Sequence, residues 1–350
     1  MSAALPVIDA SGTNREIGRA IGESTRDRVQ RAVGFMIEHS EWWAGVPIER
    51  ARERALSLLP HAEPRFGPQI YEIEGMAEGA GVAFADLLVL NCGEELTCSV
   101  AAPAGRCTSI ALSAPGRTVV AHNEDWSESD VENVVVVRMT LPDGTRVVSV
   151  VAAGYLPVTG VNSHGIAVAA DTVYGTDERA GIPNSFISRR LLESSSPEET
   201  VRRAALLGRG RGANRLCGQS GGRLWNIETS AERIAVDDDG ASWLAHTNHY
   251  LSNDLADVEG STSAGSRHRL TRARAVIDEG RDRGDDPATI ARTVLRDHDG
   301  VPRSVCSHPI PGDASHGPTT ASMIWELEER RMQVCAGRPC EHPYTTVAVG

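Results

Sequence analysis

No lysine occurs in this chain. All 35 basic residues are arginine, which excludes a lysine base or Schiff-base former before any motif is considered. Positive charge is scarce overall: 47 acidic residues leave a formal net charge of -12, so a nucleic-acid backbone is not an expected partner. No run approaches the roughly 20 apolar residues of a membrane span, so no membrane association is expected. The opening MSAALPVIDASG has neither a basic segment nor an uninterrupted apolar stretch, so the chain reads as cytoplasmic. CxxC spacing is also missing. The seven cysteines (Cys92, Cys98, Cys107, Cys217, Cys306, Cys335 and Cys340) are scattered, unlike a disulfide framework or a zinc site, and read as mostly reduced and buried. No metal and no cofactor is expected.

What is present is a globular composition, 350 residues with 41% apolar content, enough for a sizeable core. The first hundred residues read as mostly helical. A helix follows Asn14 on the spacing of Ile17, Ile21, Val29, Val33 and Met36, and two more are expected over 49–59 and 68–79. From Cys107 the texture changes to short β-rich runs such as CTSIAL, TVVAH, VVVVRMTL, RVVSVVAA and ASMIWEL. Helices interrupt this sheet material twice. The first starts where Ser196, Pro197 and Glu199 supply an N-cap, an N1 proline and the acid of a capping box, and the second covers about 265–296. Such an order suggests helices stacked on sheets rather than alternating βαβ units.

The join between the two textures, APAGRCTSIALSAPGRTVVAHNEDW, carries the candidate chemistry. A loop rich in Pro, Ala and Gly ends at Arg106, and a strand begins at Cys107. If the Arg106–Cys107 bond is broken, the Cys107 α-amine is released beside its own sulfur. Such an amine titrates near pH 8, far below lysine, so one residue supplies both nucleophile and base.

This arrangement resembles the N-terminal-nucleophile hydrolases, and more narrowly the autoproteolytic family of isopenicillin N acyltransferase and β-alanyl-dopamine hydrolase type (peptidase family C45). The resemblance rests on Cys107–Thr108, on Asn123 and Asp125 in AHNEDW, and on LNCGEEL (90–96), GVNSHGIAV (160–168), LLESSSPEE (191–199) and HTNHY (246–250). It implies an α+β fold, a four-layer αββα sandwich in one domain, cut into fragments 1–106 and 107–350. Asp125 would hold the new amine, and Asn248 would face the charge developing on the acyl oxygen. Thr108, Asn123, Asn162, Asn214, Ser230, Ser315 and His316 match pocket-side positions. The sequence departs from the family at Glu124, where an aromatic residue is usual, at Arg106 in place of glycine, and at His316 in place of arginine. The implied function is hydrolysis or transfer of the acyl group of a small N-acyl amide through an acyl-Cys107 intermediate. Self-association stays open.

Three alternatives compete. An acyl-CoA-dependent acyltransferase needs a cationic patch, for which Arg202, Arg203, Arg209 and Arg211 are the candidates. A serine hydrolase would use Ser220 in GQSGG, although RLWNIETS after it reads as a strand where an elbow needs a helix. A non-catalytic binding domain on the same fold is the third. His246 and His249 flank Asn248 without a third metal ligand nearby in sequence.

Overall fold

The computed structural model describes residues 5–96, 107–262, 265–313 and 316–349. The helical first part contains α1 (Asn14–Ser24), α2 (Arg26–Glu38), α3 (Ser40–Ala44), α4 (Ile48–Ala80), α5 (Phe84–Asn91) and α6 (Gly93–Leu96), preceded by a strand, β1 (Val7–Ser11). The strand was not expected from the sequence. It pairs parallel with β4 (Val134–Thr140), and its short VIDAS run alternates exposed and buried residues as an edge strand does. The helix expected after Asn14 starts there, but Thr13 is the cap. Its hydroxyl accepts from the Glu16 backbone N–H while the Glu16 carboxylate accepts from Thr13, a reciprocal capping box. This helix ends at Thr25, so the expected single stretch is two helices.

The two helices expected over 49–59 and 68–79 form one long element, α4. Its three prolines, Pro60, Pro64 and Pro68, do not end it; the backbone leaves helical geometry only at Phe66 (φ -123°, ψ 25°). A proline removes one N–H and crowds the carbonyl four residues earlier, so a kink just ahead of Pro68 relieves the strain without terminating the helix.

After residue 107 the strands are β2 (Thr108–Ala114), β3 (Arg117–Asp125), β4, β5 (Arg146–Ala152), β6 (Gly160–Asn162), β7 (Ile166–Asp171), β8 (Ala213–Gln219), β9 (Arg223–Thr229), β10 (Ile234–Asp237), β11 (Trp243–His246), β12 (Thr319–Glu326), β13 (Arg331–Ala336) and β14 (Thr345–Ala348). Between them lie α7 (Asn184–Leu191), α8 (Pro197–Ala204), α9 (Ser266–Arg283) and α10 (Pro287–Leu295). Ser196 caps α8 as expected, but the Glu199 carboxylate turns to Ser195 instead of closing a box on Ser196.

The strands form two sheets. One runs β1-β4-β5-β6-β7-β8-β9-β10, the other β11-β2-β3-β12-β13-β14. Helices of the first part, with α7 and α8, cover the outer face of the first sheet through a core that includes Ile17, Val29, Leu87, Val135, Phe186 and Trp225. Val120, Val136, Val148, Leu216, Met323 and Trp325 fill the space between the sheets. Helices α9 and α10 cover the second sheet over Ile110, Ala121, Ile277, Val294 and Ile324. The layers are therefore helix, sheet, sheet, helix, the expected αββα sandwich. Strands such as VVVV at 134–137 read as unbroken apolar runs because both of their faces are buried.

Candidate active site

The alternation of side chains along β2 and β3 decides what surrounds Cys107. On β3, Val120 faces the inter-sheet core and Ala121 faces the helical layer, so His122 and Glu124 continue inward while Asn123 points outward. On β2, Ala111 faces inward and Ile110 outward, which places Ser109 and Cys107 on the same inner side as Glu124. Four consecutive polar residues, His122 to Asp125, thus follow the apolar Val119–Ala121 stretch of β3, and all four are buried.

The inward groups form a hydrogen-bonded chain. The Cys107 thiol donates to Glu124 Oε1 at 3.0 Å, and Glu124 Oε2 lies 3.1 Å from His122 Nε2. His122 Nδ1 meets Ser109 Oγ at 2.9 Å, and Ser109 also donates to Asp171 Oδ1 at 2.9 Å. Asp171 Oδ2 accepts from Asn214 at 3.0 Å and lies 3.2 Å from His246 Nδ1, whose other nitrogen is 2.9 Å from Glu228. The chain crosses from the second sheet into the first. Burial pushes the Cys107 thiol well up, and the negative charges of Glu124, Asp171 and Asp125 act in the same direction. A neutral thiol is therefore the resting form, and attack by sulfur needs a group that takes its proton.

Asp125 ends β3. Its Oδ1 accepts from Thr319 Oγ1 at 2.7 Å, and its buried Oδ2 has no hydrogen-bond partner among the described residues. Burial raises this carboxyl to about 8 against the lowering effect of Arg269 and Thr319. Arg269, from the first turn of α9, donates to the Cys107 carbonyl at 2.6 Å, to Thr108 Oγ1 at 3.1 Å and to Asn248 Oδ1 at 2.9 Å. With its oxygen so engaged, the Asn248 amide points its Nδ2 toward the Thr172 carbonyl at 3.0 Å. Close approach also shapes this corner: a Cβ on Gly317 would press on the Trp126 carbonyl.

Cys107, Glu124, Asp125 and Asp171 line a cavity of about 710 Å³. Phe35, Met36, Leu156 and Val158 give it an apolar wall, and Trp126 stacks on Tyr155 with centroids 6.2 Å apart. Among the described residues, eight that bear carboxyls line it (Glu94, Glu95, Glu124, Asp125, Glu128, Asp130, Glu132 and Asp171) against two arginines, Arg31 and Arg211. Burial and the neighbouring Glu94 raise Glu95 to about 7, despite the opposing pull of Arg211. Both come from the LNCGEEL stretch.

The remaining sequence candidates scatter. Asn123 does not reach the cavity; its Nδ2 donates to the Leu295 and Val305 carbonyls and braces β3 against α10. Asn162 makes an Asx turn, accepting from His164 and Ile166, and is not part of the cavity wall. Ser230 binds Asp177 in another turn. His316 reaches Ser307 and the His308 carbonyl. Arg106 and Ser315 lie outside the described residues. Ser220 sits between β8 and β9 with Gly221 and Gly222 at positive φ, a hairpin turn with no following helix, which removes the serine-hydrolase reading. The arginines proposed for coenzyme A are dispersed: Arg209 donates to backbone carbonyls, Arg211 pairs with Glu178 at 3.3 Å, and Arg202 and Arg203 pair with Glu199. His246 and His249 do not converge, since His249 turns to Ser266 at 2.7 Å. Sequence reasoning missed His122, Ser109, Asp171, Glu228 and Arg269, and gave Glu124 no role. The polar run HNED inside a strand buried on both faces was a usable signal for its first and third members, His122 and Glu124.

Residues 112–341 match the family model described as acyl-coenzyme A:6-aminopenicillanic acid acyl-transferase. The chain is 23% identical over 343 residues to the acyl-coenzyme A:6-aminopenicillanic-acid-acyltransferase 40 kDa form of Emericella nidulans, covering 95% of this chain and 92% of that protein. It is 25% identical over 222 residues to the β-alanyl-dopamine/carcinine hydrolase of Drosophila melanogaster, covering 57% of each. Among solved structures, a conjugated bile acid hydrolase mutant from Clostridium perfringens aligns over 69% of this chain and 92% of its own, at 13% identity and a TM-score of 0.47.

Proposed function

Because the chain belongs to the acyl-coenzyme A:6-aminopenicillanic acid acyltransferase family, we propose that it is a self-processing amide hydrolase with latent acyltransferase ability, using Cys107 as nucleophile. The observation that carries this reading is the Cys107 thiol, lining a cavity and 3.0 Å from a carboxylate that can take its proton. In processing, the thiol proton passes to Glu124, sulfur adds to the Arg106 carbonyl carbon, and the peptide C–N bond breaks to give an internal thioester. The departing nitrogen takes the proton from Glu124, so breaking that bond frees the Cys107 α-amine, and water then hydrolyses the thioester to the Arg106 carboxylate and the regenerated Cys107 thiol. The orphaned Asp125 Oδ2 is suited to hold the amine, and an ammonium there would supply the counter-charge that burial denies this carboxyl.

In turnover, Cys107 sulfur attacks the acyl carbon, the α-amine takes the thiol proton and returns one to the departing amine, and water completes the cycle. Asn248 Nδ2 gives one hydrogen to the Thr172 carbonyl and turns its second to the oxyanion, with Arg269 fixing its orientation through Oδ1. Even with Asp125 and Glu95 raised toward the neutral form by burial, acidic residues outnumber arginines on the described cavity wall, which favours an amide bearing a cationic group, and the dispersed arginines give little support to docking of coenzyme A phosphates.

Two measurements test this. On a denaturing gel the wild type should give fragments of about 11 and 26 kDa from the 37.4 kDa chain, and Cys107→Ala should remain whole. Splitting of Cys107→Ala at that bond would end the self-processing reading. Mass spectrometry of processed enzyme with a panel of cationic and anionic N-acyl amides and acyl-CoA thioesters should show an acyl adduct on the Cys107 fragment, formed fastest from the cationic amides. An adduct stable in water but discharged stoichiometrically by an added amine would make the protein a transferase instead.

A further inference from the structure

The loop after α10 and the turn after β13 bring together four side chains that the function above does not use: His298, Cys306, His308 and Cys340. Their donor atoms all lie within 4.8 Å of one another. The two sulfurs are 3.5 Å apart, the two Nε2 atoms 3.0 Å, and Cys340 Sγ is 3.5 Å from His308 Nε2. We propose that these four residues form a tetrahedral Cys2His2 zinc site.

The distances favour a shared ion over the two bland explanations. With zinc about 2.3 Å from sulfur and about 2.0 Å from nitrogen, tetrahedral geometry sets two sulfurs about 3.8 Å apart, two nitrogens about 3.3 Å, and a sulfur and nitrogen about 3.5 Å. The observed separations lie close to all three. A disulfide requires sulfurs about 2.0 Å apart and leaves the two facing imidazoles unexplained. Ordinary hydrogen bonding accounts for single contacts but not for four soft or borderline donors turned toward one point. The donor set suits zinc: two thiolates and two neutral imidazoles around a divalent ion make a neutral cluster, two thiol protons passing to solvent as it binds. The Glu341 carboxylate, 3.7 Å from His308 Nδ1, stands behind one ring as carboxylates commonly do behind a zinc-bound histidine. Four protein ligands leave no open position, so the site is structural.

What it would hold is the support of the candidate active site. The residue after Cys306 is Ser307, whose backbone N–H donates to Thr319 Oγ1 at 2.9 Å, and Thr319 is the hydroxyl that binds Asp125. The residue before it, Val305, accepts from Asn123 on β3. A metal clamp on this loop therefore fixes the partner of Asp125 from behind, without touching substrate. The ligands run His-x7-Cys-x-His-x31-Cys, and with only one short spacing among them they escape a search for paired cysteines.

The test uses untagged full-length protein purified under reducing conditions. Elemental analysis should find about one zinc per chain. Cys340→Ser and His298→Ala alter exposed ligands and should each lose most of that zinc, which avoids relying on the buried Cys306. Apo protein given Co²⁺ should develop thiolate-to-metal charge-transfer absorption and intense visible bands, with the charge-transfer intensity about halved in Cys340→Ser. Chelation should lower the Tm of wild type and leave that of Cys340→Ser unchanged. Protein that carries no stoichiometric metal and binds Co²⁺ without these bands would overturn the proposal. So would a Cys306–Cys340 disulfide in the reduced preparation, or zinc retained at full occupancy by both variants.

Discussion

At the scale of single residues, the two stages of the proposed chemistry should separate at Glu124. Before cleavage Cys107 has no α-amine, so the carboxylate 3.0 Å from its sulfur is the acceptor in place for the thiol proton. Glu124→Gln keeps the shape but removes the basicity, and processing should slow by about 10²- to 10⁴-fold, read as the time course of chain splitting on a gel. Turnover by chains that have already split should fall much less, because the freed amine then serves as base. Splitting at the wild-type rate would remove Glu124 from the role. Asn248 belongs to the second stage: processed Asn248→Ala should lose about 10²- to 10³-fold in kcat, as removal of an oxyanion donor commonly does. Asp125→Asn should impair both stages, since the Cys107 nitrogen is the leaving group in the first and the base in the second, and a variant that processes normally would place Asp125 outside the site.

At the scale of elements, α1 and α4 cross where each carries a glycine pair, Gly18 and Gly22 against Gly75 and Gly79. A Cβ on Gly18 would fall on the Glu72 carbonyl, and one on Gly75 on that of Arg15. Backbone cannot move aside as a side chain can, so Gly75→Ala should destabilise by about 1–3 kcal/mol, measured as a lowered Tm. Gly34 on α2 faces open space, and Gly34→Ala should instead gain up to about 1 kcal/mol from helix propensity. Equal effects of the two substitutions would show that the crossing is not set by backbone contact. The same contrast marks what the sequence made legible. Strands with unbroken apolar runs, α8 with its Ser196–Pro197 start, and the position of Cys107 at a change of texture were all readable because their signals are local. The strands β1, β6, β8 and β14 were not, being short or mixed in polarity, and the two pieces expected for α4 leave out 60–67, the stretch that holds Pro60, Pro64 and the non-helical Phe66. Arg269 is one of many arginines on α9, and nothing in its neighbours distinguishes the one that touches Cys107, 162 positions away. The contacts that gather the histidine and cysteine tetrad span up to 34 residues and depend on two separate loops.

At the scale of the whole molecule, burial of so many titratable groups between the sheets should make stability fall as pH rises through neutrality. Burial alone would lower the basicity of His246, but hydrogen bonds donated by the ring to Asp171 and Glu228 outweigh it and raise the ring to about 9 from 6.5. A folded value above the unfolded one means the native state binds the proton more tightly. The stabilisation from His246 is therefore complete below pH 6.5 and lost as pH rises through about 9, on the order of 3 kcal/mol for this group alone. In the uncleaved chain Asp125, raised by burial to about 8 from 3.8, has the same sign, its buried carboxyl costing stability as it ionises, whereas in processed protein the Cys107 ammonium offsets that cost and leaves the alkaline limb to His246. His249 works in the opposite direction. Burial lowers it to about 4, so the unfolded chain binds the extra proton and stability is lost as pH falls from 6.5 through that value. The Tm should accordingly decline on both sides of a maximum near mildly acidic pH. His246→Gln should flatten the alkaline limb between pH 6.5 and 9, and His249→Gln the acid limb, in melts of fully processed protein at constant ionic strength. An alkaline limb equally steep in wild type and His246→Gln would mean that His246 is neutral in the folded protein, with Asp171 and Glu228 facing an uncharged ring and the slope coming from the acidic surface alone.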